Sequence, residues 1–217
     1  MPNVVPAHHL KRMNRRIAIY LDDDLSQNTW LQVVNQELQH YLANDFISAD
    51  IVIKIVSEDW ERRQYYRLRE ATFRDEQQIL KEDRDEYDFK AFGIVAIGQM
   101  FGEPDRVIGA VRIFPEGKQT WWGGRLCVDP LYRHHRAIGK ALINAAVSTA
   151  KNLGCQRFLA TVQQQNEVYF QKLYWHSEQN IQVANIPHVL MQANLAHYPL
   201  SNISQAYMQQ SYAMQEV

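Results

Sequence analysis

Apolar positions along this chain recur with two periods, one of helices and one of strands. Ile17 to Leu21 is a short strand-like run closed by Asp22-Asp23-Asp24. Trp30, Val33, Val34, Leu38, Tyr41 and Leu42 then follow at helical spacing and predict a helix from about Asn28 to Ala43. Ile51 to Val56 (IVIKIV) is rich in β-branched residues and predicts a strand. From Asp59 to Leu80, Trp60, Tyr65, Leu68, Ala71 and Phe73 are set among charges, a pattern of one or two amphipathic helices covering a sheet face. The run Lys81 to Asp88 (KEDRDEYD) is mostly charge and reads as a solvated loop.

Three strands are predicted next: Phe92 to Ile97, Val107 to Phe114 after the turn Gly102 to Arg106, and Trp121 to Val128 after the turn Pro115 to Lys118. Beyond Val128-Asp129-Pro130 lies a basic stretch, Tyr132-Arg-His-His-Arg136, and Ala137-Ile138-Gly139 opens a helix. That helix is expected to bury Ile138, Ala141, Leu142, Ala145 and Leu153, with Gly154 as its C-terminal cap. Arg157 to Val162 reads as a strand, Asn166 to Leu173 as a short helix, and Ile181 to Ala184 with Val189 to Ala193 as a closing strand pair. The pattern divides the chain into an extension over 1–48 (strand plus helix), one domain over 49–200, and a tail over 201–217 that is frayed or loosely docked.

Composition narrows the class. The 217 residues are 46% hydrophobic and 22% charged, with a formal net charge of −1, which gives no support for a nucleic-acid or membrane-surface protein. Cys127 and Cys155 form no CxxC pair, and the histidines show no HExxH spacing, so neither a disulfide scaffold nor a metal is expected. No segment reaches the ~18 apolar residues of a membrane helix, and residues 1–16 are polar and basic without the apolar core of a signal peptide. A cytoplasmic location is the expectation. Exposed sheet edges admit a homodimer, though no residue specifies one.

Candidate chemistry gathers at the strand-to-helix junction. A helix N-terminus after a strand presents unpaired N–H groups and a positive dipole end, which suit phosphate. Ala137 and Gly139 let a phosphate approach the backbone, Arg133, Arg136 and Lys140 add charge, and His134 and His135 add donors. The alternative is a merely solvated basic helix start, with Gly139 present for packing. Neither GxxxxGK[ST] nor GxGxxG occurs, which argues against an ATPase loop and a dinucleotide fold.

In order and residues, the chain resembles the GNAT superfamily of acyl-CoA-dependent N-acetyltransferases from about Ile51 to Leu195. Arg125-Leu-Cys-Val-Asp-Pro130, Tyr132-Arg133 and Ile138-Gly139-Lys-Ala-Leu-Ile143 are similar to that family's cofactor motif, a strand ending V-x-P, a glycine-rich turn and a long helix. Asn166 and Tyr169-Phe170-Gln-Lys-Leu-Tyr-Trp175 are similar to its second signature. The chain departs from the family pattern in three places. Arg136 or Ala137 stands at the turn's first glycine, Phe170 stands where a tyrosine often protonates the leaving thiolate, and Tyr174 replaces a glycine.

The resemblance implies an α/β fold with a central mixed, mostly antiparallel sheet flanked by helices. It also implies acetyl transfer from acetyl-CoA to an amine by direct attack. Main-chain groups of Leu126, Cys127 and Val128 would meet the thioester and pantetheine, residues 134–140 (Ala137 and Ile138 included) the diphosphate, and Asn166 and Phe170 the pantetheine arm. An ammonium acceptor must lose a proton, and Glu76, Asp85 and His188 are the candidate bases, although the residue types by themselves favour a surface carboxylate or a hydrogen-bonded histidine at each. Tyr169 is the candidate acid. Trp121 and Trp122 are candidates for lining the cleft, with core packing expected to account for at least one of them. The acceptor stays open among small amines, amino acids, antibiotics and peptide amines, although the acidic run 81–88 could attract a cationic one. Rival readings are a catalytically silent acyl-CoA-binding module and a donor such as succinyl-CoA.

Overall fold

The computed structural model describes residues 51–100, 103–134 and 136–200. The predicted extension over 1–48, the tail over 201–217 and His135 lie outside the described residues. Two units are distinguished, Met1–Val52 with Gly98–Asp105, and Ile53–Ile97 with Arg106–Val217. Of the first, only strand ends are described; the second carries the core.

Seven strands form one sheet in the order β1-β2-β3-β4-β5-β7-β6. They are β1 Ile51–Ile55, β2 Phe92–Met100, β3 Glu103–Glu116, β4 Thr120–Val128, β5 Arg157–Gln163, β6 Trp175–Val183 and β7 Ile186–Ala193. The β3–β4, β5–β7 and β6–β7 pairs are antiparallel and β4–β5 is parallel. Ile94 to Ile97 and Val107 to Phe114 form nearly unbroken apolar runs because their strands are covered on both faces. Much of the predicted turn Gly102 to Arg106 belongs to β3, since Glu103 to Arg106 are already extended. The strand predicted from Ile181 begins at Trp175, whose ring packs edge-on against Phe158 and Phe170 and so fixes the early start.

Helix α1 (Asp59–Glu70) starts where Glu61 reaches back to accept the Ser57 and Glu58 amides at 2.9 and 3.2 Å. Burial pushes the Glu61 carboxyl up, but Lys54 at 2.7 Å and the two amides outweigh it and hold it low. The helix runs on as a π-turn, Ala71–Glu76, closed by Gln77 N–H to Thr72 O at 2.9 Å. Helix α2 (Arg136–Asn152) buries Ile138, Leu142, Ile143, Ala146, Val147 and Ala150. Its stripe is therefore rotated from the expected one, and Ala141, Ala145 and Leu153 are only half-buried. Gly154, at φ 87, ends it as expected, with Cys155 N–H on Ala150 O and Gly154 N–H on Lys151 O.

The largest correction concerns residues 81–88. Lys81, Glu82, Arg84 and Glu86 are exposed as expected, but the three aspartates are turned inward. Asp83 is buried, and Asp83, Asp85 and Asp88 hold three arginines from three different elements. Arg69 of α1, fully buried, donates to both Asp88 oxygens at 2.7 and 3.0 Å and to Tyr65 Oη at 2.8 Å. Its Nε lies 2.8 Å from Asp83 Oδ2, though not aligned as a hydrogen bond. Arg112 of β3 holds both Asp85 oxygens at 2.5 and 3.0 Å and Asp88 at 2.9 Å. Arg125 of β4 reaches Asp83 Oδ1 and Asp85 Oδ2, each at 3.0 Å. Each guanidinium thus meets two aspartates, and burying any of these charges alone would cost several kcal/mol.

Replacing Arg69 with Met keeps the bulk and strips the charge. It should lower the unfolding free energy by about 3–5 kcal/mol in urea titrations, because Asp83 and Asp88 lose a partner. Burial pushes the Asp88 carboxyl up, but Arg69 and Arg112 win and hold it below its ordinary value. The stability it contributes is therefore present above an unfolded pKa of about 3.9 and drains away as pH falls through the lower folded value. In thermal melts, Asp88→Asn should start less stable at neutral pH and lose less than the parent below about pH 4.

Candidate active site

The sheet opens in its middle. Parallel pairing of β4 with β5 runs from Thr120 with Arg157 to Gly123 with Ala160 and ends there, although the strands continue to Val128 and Gln163. The two glycines at the fork have opposite surroundings. A β-carbon on Gly123 would come 2.9 Å from the Phe158 ring, whereas one on Gly124 would meet nothing within 4 Å. The first lets the strands close; the second leaves the gap clear.

Just past the gap, β4 bulges. Gly124 pairs with Arg112 and Cys127 with Ala110, so Arg125 and Leu126 together face the single residue Val111. Arg125 takes φ 54, a left-handed conformation that glycine normally supplies in such a bulge. Holding it there costs on the order of 1–3 kcal/mol, which the bonds from its guanidinium to Asp83 and Asp85 help to offset. The loop 81–88 therefore determines where the amides after Arg125 point.

A cleft of about 360 Å³ occupies the fork, reached by side chains of β3, β4, β5 and β7. Leu126, Asn166, Phe170, Asp85 and His188 line it, five of the residues expected from sequence. Trp122 lines it too, while Trp121 is a core residue. His188 is buried at 7% exposure, and its Nδ1 lies 2.8 Å from Ile186 O. A carbonyl only accepts, so the proton of the neutral ring is assigned to Nδ1, and Nε2 is left as the basic atom.

The other predicted residues fall differently. Glu76 and Arg133, expected as base and phosphate ligand, hold each other through two contacts of 2.5 Å, and Arg133 Nε donates to Val128 O at 2.9 Å. Arg133 keeps the Glu76 carboxyl below its ordinary value, which makes it a poor proton acceptor. Both Asp85 oxygens are held by Arg112 and Arg125. Cys127 is buried, and burial pushes its thiol up to about 12, in keeping with a packing role for its side chain. Ile138 is buried under Gly109, so only its backbone is available at the helix start. Ala137 and Lys140 are exposed there, as is His134 just before it, and Arg136 opens the helix. Tyr169 is not among the cleft-lining side chains; its hydroxyl lies 3.5 Å from where a β-carbon on Gly139 would stand. Val128 closes β4 beside them.

Sequence reasoning missed Arg112 and the structural role of Asp83. Arg112 sits alone in an apolar strand, VRIF, and that isolation was the available signal. Among the described residues no group of histidine, cysteine or acidic side chains could hold a metal ion.

A family model described as the acetyltransferase (GNAT) family matches residues 54–174. Among solved structures, a putative N-acetyltransferase from Lactobacillus plantarum is 23% identical with a TM-score of 0.60, covering 67% of this chain and 98% of its own. An acyl-CoA N-acyltransferase from Pseudomonas aeruginosa is 18% identical at a TM-score of 0.56, covering 66% and 98%. A NatC complex bound to Gag peptide and CoA is 15% identical at 0.51, covering 66% and 98%. These likenesses show the fold. None of the curated proteins matches the chain.

Gly124→Leu should fill the gap between the parted strands without touching the core. The melting temperature should stay within about 3 °C, as for a surface change, while calorimetry should show acetyl-CoA affinity reduced by about tenfold or more.

Proposed function

Since the chain belongs to the GNAT acetyltransferase family, we propose that it is an N-acetyltransferase that moves an acetyl group from acetyl-CoA to a primary amine by direct attack in a ternary complex. The family and fold support acyl-CoA-dependent acyl transfer. The parted strands with open space at Gly124 carry the finer reading, because an extended pantetheine needs an unpaired strand edge and an unobstructed slot. Acetyl-CoA supplies the thioester that the amine attacks. The first turn of α2, with Gly139 and Lys140, holds the diphosphate through main-chain N–H groups and charge. Leu126, the second residue of the bulge, offers its N–H to the thioester carbonyl oxygen.

His188 is the proton acceptor in this reading. Of the three candidate bases it alone keeps an unclaimed basic atom in the cleft. The ammonium acceptor gives its proton to Nε2, the neutral nitrogen forms the C–N bond, and the C–S bond breaks. The second proton from nitrogen passes to the departing sulfur. Holding both reactants in one cleft contributes several kcal/mol more. Phe170 favours a second reading, a silent acyl-CoA-binding module, because it lines the cleft without a proton to give. Thiol release from acetyl-CoA with a panel of amines separates the two.

His188→Gln should lower kcat by about 100-fold or more, with acetyl-CoA affinity within about twofold of the parent. Raising the pH, which deprotonates the amine without help, should recover part of the loss. An unchanged kcat would remove His188 from the mechanism.

A further inference from the structure

Strand register separates the cleft's two halves. Residues paired across strands share a face, so Arg112 with Gly124, Phe114 with Trp122, and Gln163 with His188 stand together. This is the α1 side of the sheet, since Arg112 meets Asp88, which Arg69 of α1 also holds. Gly123 instead faces Phe158 on the α2 side, where the cofactor helix lies. The α1 half, open to the strand gap at Gly124 and holding the candidate base, is where an acceptor would sit.

Four aromatic rings share its walls with His188 and the hydrogen-bonded pair Gln163–Gln77. Phe73, Tyr87, Phe114 and Trp122 line it, with Tyr87 stacked on Phe114 at 4.6 Å between ring centres. Among the described residues the lining contains a single carboxylate, Asp85, and two guanidinium groups, Arg112 and Arg125, already hold both its oxygens. The three aspartates of the acidic segment are thus neutralised from inside the protein, and its exposed Glu82 and Glu86 do not line the cleft.

We propose that the acceptor is a primary amine on one flat aromatic or compact apolar body, with no second cationic group. The inference deepens, and as to turnover rests on, the N-acetyltransferase reading. A ring laid against Trp122 and Tyr87 gains apolar burial and ring contacts. A second ammonium entering the same space would leave water with no unpaired carboxylate in the lining to meet it, and Glu116, outside the lining, already accepts the Trp122 indole N–H at 2.6 Å. Polyamines and aminoglycosides are disfavoured by that imbalance.

Calorimetric binding of phenethylamine, spermidine and kanamycin to the full chain, without acetyl-CoA, tests the class directly. Phenethylamine should bind about tenfold more tightly than either polycation. Trp122→Ala should weaken phenethylamine by about tenfold and leave spermidine unmoved. Tyr87→Leu serves as the second variant should Trp122→Ala melt early. Equal or tighter binding of a polycation, no binding of any amine, or an unaltered phenethylamine affinity in folded variants overturns the proposal. A separate acetyl-CoA titration judges the donor reading: its failure would sink that reading while the amine ranking still decided this one.

Discussion

Three aspartates on one short loop hold three arginines from α1, β3 and β4, and the working parts of the molecule hang on that array. Its net worth to stability is modest, because six charges leave water together and their attraction does little more than offset the loss. Its value is positional. With Arg69 fixed on α1 and Arg112 in the covered part of the sheet, Asp83 and Asp85 have one place to stand, and Arg125 must meet them there. The left-handed turn of β4 follows from that demand, and the amides beyond it are aimed accordingly.

The fold explains why a gap exists at all. The parallel β4–β5 pair stands between antiparallel pairs, β3–β4 on one side and β5–β7–β6 on the other. Phe158 fits against Gly123 where the strands touch, and beyond that point β5 is drawn toward β7 while β4 stays with β3. A slot with main chain on one wall and a buried histidine from β7 in its lining is the result.

Much of this was legible in the sequence. The strand and helix order from Ile51 to Ala193, the junction after Pro130, the Gly154 cap and a cleft holding Leu126, Asn166, Phe170 and His188 could all be read from periodicity, turn residues and the family motif. Three things could not. The rotation of the α2 stripe depends on how the helix lies on the sheet, which a helical period alone leaves free. The loop 81–88 looked solvated because charge usually is; its partners lie about 15 to 45 residues away and carry no local pattern. Glu76 and Arg133, 57 positions apart, were given separate tasks for the same reason.

Asp85 lines the cleft, beside the place proposed for the incoming amine, and also secures the arginine whose backbone bends β4. A change that reshaped this loop to welcome a different nucleophile would therefore disturb the grip on the acyl group in the same stroke. On the proposed reading, selectivity and turnover share a hinge pin, and a lineage altering one would have to renegotiate the other.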